Sequence, residues 1–152
     1  MVQQVKVRIF QPSVLQNRLK LIGAAFLGAW NEKDTYFLQP AGCFLKIKRR
    51  KDSAFLVKLR RNGGGAFRKE VRRLADPGRR EKELAEKFGV MNVIEKRVRA
   101  YGYKGSALGI HSIPELGDFL VIEAGFAETG EILRKLGIEK PQFVTLAFSE
   151  ML

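Results

Sequence analysis

Apolar and polar residues alternate strictly near the start of the chain. Within residues 4–10 the apolar Val5, Val7 and Ile9 occupy every second position, and the polar or charged Gln4, Lys6 and Arg8 alternate with them. A period of two is typical of a β-strand with one buried face. From Pro12 to Gly23 the apolar spacing changes to three and four residues, which predicts an α-helix that starts near the proline and stops at the glycine.

The rest of the chain repeats these two patterns. Most neighbouring strands are separated by hairpin-length turns, so the predicted sheet is antiparallel. Long antiparallel strands in this number tend to close into a barrel, because closure removes the exposed edges. The tail from Phe143 is predicted to be extended or helical. Further strands are expected at residues 24–38 (as one strand or two), 44–48, 54–59, 67–74, 90–103, 107–113 and 119–123, and further helices at 76–89 and 129–136.

About eight strands and three helices indicate an α+β fold, an eight-stranded antiparallel barrel with flanking helices. The 152 residues suit a single domain spanning 1–152, and an apolar content of 45% is enough to form a core. One cysteine, Cys43, excludes an internal disulfide and a cysteine-rich zinc site. The N-terminus lacks the apolar segment of a signal peptide, and no apolar stretch is long enough for a membrane helix, so we expect a cytoplasmic protein without a membrane partner.

The charge is concentrated in one part of the chain. The formal net charge is +12, and residues 46–73 contain twelve basic residues against two acidic ones. Such a segment predicts an anionic partner. Its strands carry basic residues at alternate positions, which would line an interior channel if helices cover the outside of the barrel. The alternative is a solvated basic face on an open sheet.

Several segments carry short motifs in a recognisable order. Taken together, they resemble the CYTH family, which comprises the class IV adenylate cyclases and thiamine triphosphatases with a triphosphate tunnel. The resemblance covers nearly the whole chain. The matching pieces are Gln4-Val5-Lys6-Val7-Arg8, Asp34-Thr35-Tyr36-Phe37, Leu45-Lys46-Ile47-Lys48, Lys58, Arg68-Lys69-Glu70-Val71-Arg72, and Leu116-Gly117-Asp118-Phe119 followed by Val121-Ile122-Glu123.

The resemblance implies an eight-stranded barrel in which basic side chains hold a triphosphate and acidic side chains hold Mg²⁺ or Mn²⁺. Lys96 replaces Arg97 and Arg99 in the tunnel if the register of its strand differs by one. Glu70 and Glu123 are the acids left at matching positions, either as metal ligands or as salt-bridge partners of the arginines. The residues expected to bind phosphate are Lys6, Arg8, Lys46, Lys48, Lys58, Arg68, Arg97 and Arg99.

The chain departs from the family pattern mainly at its acidic positions. Gln4 and Lys6 stand where the first strand of the family has glutamates, and Arg72 and Val121 replace two further glutamates. His111 replaces an aspartate, and serves either a structural or an acid–base role. A Mg²⁺ or Mn²⁺ ion would therefore meet few carboxylates among many cations, and the Lys6 ammonium would lie where the metal was. No catalytic residue is assigned.

Two functions follow from these observations. The first is binding of a nucleoside triphosphate, inorganic triphosphate or polyphosphate in the tunnel, with any remaining activity being that of a class IV adenylate cyclase or a triphosphatase. The alternative is a non-catalytic nucleic-acid-binding protein that uses the basic central segment. Salt separates the two hypotheses, because binding to a nucleic-acid backbone weakens steeply with salt and binding inside a tunnel does so less.

Overall fold

Antiparallel strands make up about half of the chain, and three α-helices lie between them. A computed structural model describes residues 2–152. The expected strands and helices are present, with residues 25–37 forming a single strand. The elements in order are β1 (Gln3–Ile9), α1 (Pro12–Leu21), β2 (Ala25–Phe37), β3 (Cys43–Arg49), β4 (Ala54–Arg61), β5 (Phe67–Arg73), α2 (Pro77–Phe88), β6 (Val90–Tyr103), β7 (Ser106–Ile113), β8 (Gly117–Ala124), α3 (Phe126–Lys135), β9 (Phe143–Val144) and a short 3-10 helix (Phe148–Met151).

The eight long strands form a closed ring. They pair antiparallel in the order β5-β4-β3-β2-β6-β7-β8-β1, and Gln4 of β1 pairs with Phe67 of β5 to close it. Further along β1, strand β9 takes over the edge that β5 leaves, with Lys6 opposite Val144. The expected α+β fold with an eight-stranded antiparallel barrel is confirmed. Among residues 2–152, no helix is long and apolar enough to cross a membrane.

The helices cover the outside of the ring. Apolar residues of α1 and α3, such as Leu19 and Ile132, pack with outward-facing residues of β1, β7 and β8. Leu84 of α2 packs against Leu45 and Leu56, which face outward from β3 and β4. The helices pack on the outer face of the sheet because this buries apolar surface on both sides of the contact. The inner face of the sheet lines a cavity.

Apolar and polar residues divide the interior of the ring. Side chains that include Tyr36, Phe67 and Phe119 form a buried cluster at one end. The C-terminal 3-10 helix inserts Phe148 into this cluster, where the residue is 5% exposed. The interior is thus a pocket with an apolar floor at one end, and its polar residues lie beyond that floor.

Candidate functional site

Four lysines from three strands meet inside the ring. Lys6 projects from β1, Lys46 and Lys48 from β3, and Lys96 from β6, and all four residues are between 3% and 8% exposed. They line a cavity of about 230 Å³, which we call the lysine pocket. Buried lysines are rare unless they are paired, so each of them requires a nearby acceptor.

Two buried carboxylates of β2 supply part of this pairing. Asp34 Oδ2 lies 2.8 Å from Lys46 Nζ and 3.1 Å from Lys96 Nζ. Glu32 Oε2 lies 3.7 Å from Lys96 Nζ and 3.8 Å from Lys48 Nζ. The ammonium of Lys96 therefore bridges both carboxylates. Glu32 and Asp34 are two residues apart on β2, so their side chains lie on the same, inner face of the strand.

Both carboxyl groups are held ionised by the lysines. Burial alone would raise the pKa of Asp34, but Lys46 and Lys96 outweigh burial and hold that pKa below its usual range. Burial likewise acts to raise the pKa of Glu32, and Lys48 and Lys96 reverse the shift and lower it. The two acids therefore act as fixed negative charges rather than as proton donors near neutral pH.

Two of the lysines are poorly compensated. Burial, with the nearby charge of Lys46 and Lys96, lowers the pKa of Lys6 from 10.5 to about 7. Burial and the same two neighbours also lower the pKa of Lys48 to about 7. An added negative charge in the pocket would favour the protonated form of both side chains.

An aromatic and an arginine lie at the mouth of the pocket. Trp30 Nε1 donates a hydrogen bond of 2.7 Å to Glu32 Oε1, and Arg50 Nε donates one of 2.8 Å to the same oxygen. The guanidinium of Arg50 also stacks on the Trp30 ring, 4.3 Å from its centre. Glu32 thus fixes both side chains at the mouth, where Arg50 remains partly exposed.

A second charged pair lies on the rim of the pocket. Lys69 Nζ of β5 is 2.7 Å from Glu123 Oε1 of β8. Gln4 Nε2 donates a hydrogen bond of 3.3 Å to the same oxygen. Burial acts to raise the pKa of Glu123, whereas Lys69 and Gln4 lower it overall. The pair links β5, β1 and β8 next to the closure of the ring, and its charges balance each other.

His111 of β7 also faces the pocket. Its Nδ1 atom is buried without a hydrogen-bond partner. Burial, together with the charges of Lys96 and Lys48, lowers its pKa well below 6.5. The ring is therefore neutral at physiological pH, and its function as a proton carrier near pH 7 is disfavoured.

Phe148 forms the floor beneath two of the lysines. Lys6 Nζ lies 5.1 Å from the centre of the Phe148 ring, and Lys96 Nζ lies 5.4 Å from it. Lys6 Nζ is also 4.0 Å from the centre of the Phe67 ring. These cation–π contacts compensate part of the cost of burying the ammonium groups.

The structure brings together only part of the set of residues predicted from sequence. Lys6, Lys46, Lys48 and Glu123 line the lysine pocket. Arg8 lies at the end of the ring, where its guanidinium donates a 2.9 Å hydrogen bond to the Leu116 carbonyl and stacks on Phe119. Arg8 shares the inward face of β1 with Lys6 but lies beyond the lysine pocket, so it is not among the residues that line that pocket.

Three predicted residues lie in a groove outside the ring. Lys58 of β4 and Arg68 and Glu70 of β5 line a cavity of about 900 Å³ with residues of α2. Their expected position in the tunnel is wrong. On β4 both neighbours of Lys58 are apolar and point into the ring. Because α2 packs against the outer face of β4, that face carries apolar residues as well. Alternation therefore gave no clear register there.

The register of β6 also differs from the first expectation. Arg97 is exposed, and Arg99 stacks outside the ring on Phe26, 4.7 Å from the ring centre. Lys96 points inward, as the alternative register predicted. The placement of Arg97 and Arg99 in the tunnel is wrong because three basic residues within four positions leave the inward face ambiguous.

Sequence reasoning assigned no role to several residues of the pocket. Glu32, Asp34 and Tyr36 alternate along β2, and this spacing could have revealed them as one inward face. Trp30 continues the same alternation. Phe148 had no such signal, because its position depends on how the tail folds back into the ring.

The acids of the pocket are a poor match for a divalent ion. No group of three or more His, Cys, Asp or Glu side chains within residues 2–152 is arranged to hold a metal. Asp34 Oδ2 and both oxygens of Glu32 already contact cationic groups. Glu70 lies in the outer groove and Glu123 contacts Lys69, so the residues expected to bind metal do not converge.

No protein-family model and no curated protein matches the chain significantly. Solved structures do match over its whole length. The PH1012 protein from Pyrococcus horikoshii is 22% identical, with a TM-score of 0.87 over 100% of this chain and 99% of that one. The chain has the CYTH-like fold. Other solved structures with the same fold have names that state an activity.

Two of these CYTH-like structures carry cyclase names. An adenylate cyclase candidate from Vibrio parahaemolyticus is 11% identical and has a TM-score of 0.74, over 97% of this chain and 95% of that one. A candidate adenylyl cyclase from Hippeastrum, HpAC1, described as having a dominant triphosphatase activity, is 16% identical and has a TM-score of 0.69, over 99% and 94%. At these identities the likeness establishes the fold.

Proposed function

We propose that the protein binds a triphosphate or short polyphosphate anion in the lysine pocket. The excess of buried cations supports this proposal, since the four buried lysines of the pocket have only two buried carboxylates, Glu32 and Asp34, as partners. Buried charges are stable only when they are compensated. An anion of several negative charges would compensate Lys6 and Lys48, which the protein itself leaves least compensated.

The size of the pocket favours the phosphate chain as the enclosed part of the ligand. About 230 Å³ is below the 300–1,000 Å³ typical of pockets that enclose drug-sized molecules. A nucleoside attached to the chain would therefore lie at the mouth, beside Trp30 and Arg50. The names of the CYTH-like structures from Vibrio and Hippeastrum concern chemistry on triphosphates, which supports the same class of ligand.

Binding is the main function that we propose, and turnover is expected to be slow. Among the pocket residues within 2–152, Glu32 and Asp34 are held ionised by lysines and His111 is held neutral by burial. None of these three is poised to exchange a proton near pH 7. Lys6 and Lys48 have pKa values near 7 in the free protein, but a bound anion would raise both values and keep the two side chains protonated. Phosphate release from triphosphate or ATP, and formation of cyclic AMP, should therefore stay low when Mg²⁺ or Mn²⁺ is supplied.

The test compares two lysines on adjacent strands. Lys46 points into the pocket, whereas Lys58, on the neighbouring strand, points into the outer groove. Lys46→Met should weaken binding of inorganic triphosphate about ten-fold or more, because it removes a charge-assisted contact. Lys58→Met removes the same charge from the molecule and should leave the affinity unchanged.

Isothermal titration calorimetry at fixed salt measures both affinities, and circular dichroism checks that each variant is folded. Equal losses in the two variants would show that the anion responds to overall charge and not to the pocket. No binding of triphosphate or ATP by the unmodified protein at low salt would refute the proposed function.

A further inference from the structure

We infer that the ammonium of Lys96 occupies the place of a divalent cation, so that the pocket binds a metal-free phosphate chain and does not bind its Mg²⁺ complex. This inference rests on the proposed function, because it specifies the form of the ligand that the same pocket accepts. It starts from the disagreement between the metal that the CYTH resemblance implies and the residues that the structure places in the pocket.

Lys96 makes the contacts that a bridging cation would make. Its Nζ atom lies 3.1 Å from Asp34 Oδ2 and 3.7 Å from Glu32 Oε2, and its side chain is 1% exposed. Mg²⁺ is usually bound by one or two carboxylates together with waters and substrate phosphates. Glu32 and Asp34 could offer such a pair, because alternation puts both on the inner face of β2. Here one buried ammonium connects them.

The carboxylate oxygens give a metal few free ligands. Asp34 Oδ1 and Glu32 Oε2 are buried without a hydrogen-bond partner, but Glu32 Oε2 already faces the ammonium groups of Lys48 and Lys96. Asp34 Oδ2 also contacts Lys46, and Glu32 Oε1 accepts hydrogen bonds from Trp30 and Arg50. Mg²⁺ needs several oxygen ligands at about 2.0–2.1 Å in octahedral geometry. It would have to displace a buried ammonium and then remain beside the other lysines, which repel it.

The same arrangement sets the form of the bound anion. A phosphate chain that carries its own Mg²⁺ brings positive charge towards Lys6, Lys46, Lys48 and Lys96, whereas the free anion brings only negative charge. The pocket should therefore select the free anion. Mg²⁺ in solution should compete with the protein for the chain and lower its apparent affinity.

The first experiment uses the unmodified protein in two calorimetric titrations. In the first, Mn²⁺ is titrated into the protein without any anion. In the second, sodium triphosphate is titrated into the protein, once in a buffer that contains EDTA and once in a buffer that contains excess Mg²⁺. We expect no saturable Mn²⁺ binding with a Kd below about 1 mM. The apparent affinity for triphosphate should be lower in excess Mg²⁺ than in EDTA. Stoichiometric Mn²⁺ binding that Asp34→Asn abolishes, or a triphosphate affinity that rises with Mg²⁺, would overturn the inference.

A variant then tests the role of Lys96 itself. Lys96→Gln removes the ammonium and offers an amide oxygen beside Glu32 and Asp34. We expect this variant to acquire Mn²⁺ binding and to bind triphosphate about ten-fold more weakly in EDTA. Arg97→Gln is the matched control, since it loses the same charge at the next position but faces outward. It should behave as the unmodified protein does.

The results separate the inference from the proposed function. Absence of triphosphate binding in EDTA and in Mg²⁺ alike refutes the proposed function. Binding that requires Mg²⁺ keeps the function and refutes the inference. The Mn²⁺ titration does not depend on any anion, and it is decisive even if Lys96→Gln does not fold. Equal Mn²⁺ binding by Lys96→Gln and Arg97→Gln would also contradict the role of Lys96.

Discussion

At the scale of single residues, the lysine pocket is defined by charges that are partly paired. Asp34 and Glu32 compensate Lys46 and Lys96 at short distances, and Lys6 and Lys48 are left with weaker partners. Burial, followed by the charges of Lys46 and Lys96, lowers the pKa of each of these two side chains to about 7. Their protonation therefore changes within the physiological range, and the anion binding that we propose should change with it.

Triphosphate affinity should fall as the pH rises from 6 to 8.5. Below pH 7 Lys6 and Lys48 are charged and attract the anion, and above pH 7 they become neutral. A bound anion raises both pKa values, so binding near pH 7 should take up protons. Calorimetry in two buffers of different ionisation enthalpy measures this uptake.

The control for the pH effect is the pair of substitutions Lys6→Met and Lys48→Met in one protein. This variant should bind more weakly at pH 6, and its affinity should change much less with pH. A pH profile that matches that of the unmodified protein would show that other groups are responsible.

At the scale of elements, the closed sheet and the helices could be predicted from periodicity, but the inward face of several strands could not. The alternation of β1 correctly placed Lys6 inside, because helices cover only its other face. β4 has apolar residues on both faces, and β6 has Lys96 next to Arg97. For such strands the face is decided by tertiary packing, which no local pattern records.

The C-terminal segment shows the same limit most clearly. Strand β9 pairs with β1, the side chain of Arg61 binds the Thr145 carbonyl and Glu150, and Asn92 donates a 2.9 Å hydrogen bond to the Ser149 carbonyl. These long-range contacts insert Phe148 into the ring. The sequence indicated an extended or helical tail, but its place as the floor of the pocket depends on partners far along the chain.

Removal of the floor should destabilise the whole ring. Phe148→Ala leaves a cavity among Phe119, Phe67 and the lysines, and should lower the free energy of unfolding by about 3 kcal/mol. Phe126→Ala is the control, because Phe126 is 86% exposed and its loss should cost within about 0.5 kcal/mol. Urea denaturation of both variants measures the difference. Similar unfolding free energies would show that Phe148 does not support the fold.

At the scale of the molecule, the basic central segment of residues 46–73 faces both the inside and the outside of the ring. Lys46, Lys48 and Lys69 of the basic central segment line the pocket, whereas Lys58 and Arg68 line the outer groove beside α2. The family resemblance predicts one tunnel for Lys46, Lys48, Lys58 and Arg68, and strand geometry divides them instead. The nucleic-acid hypothesis would apply to the outer surface, and the CYTH-like structures do not support it.

A crystal structure of the protein with inorganic triphosphate in the presence of EDTA tests the central proposal most directly. The expected result is a phosphate chain inside the ring, in contact with Lys6, Lys46 and Lys48, without a metal ion. An anion bound only in the outer groove beside Lys58 and Arg68, or an empty lysine pocket at saturating triphosphate, would contradict it.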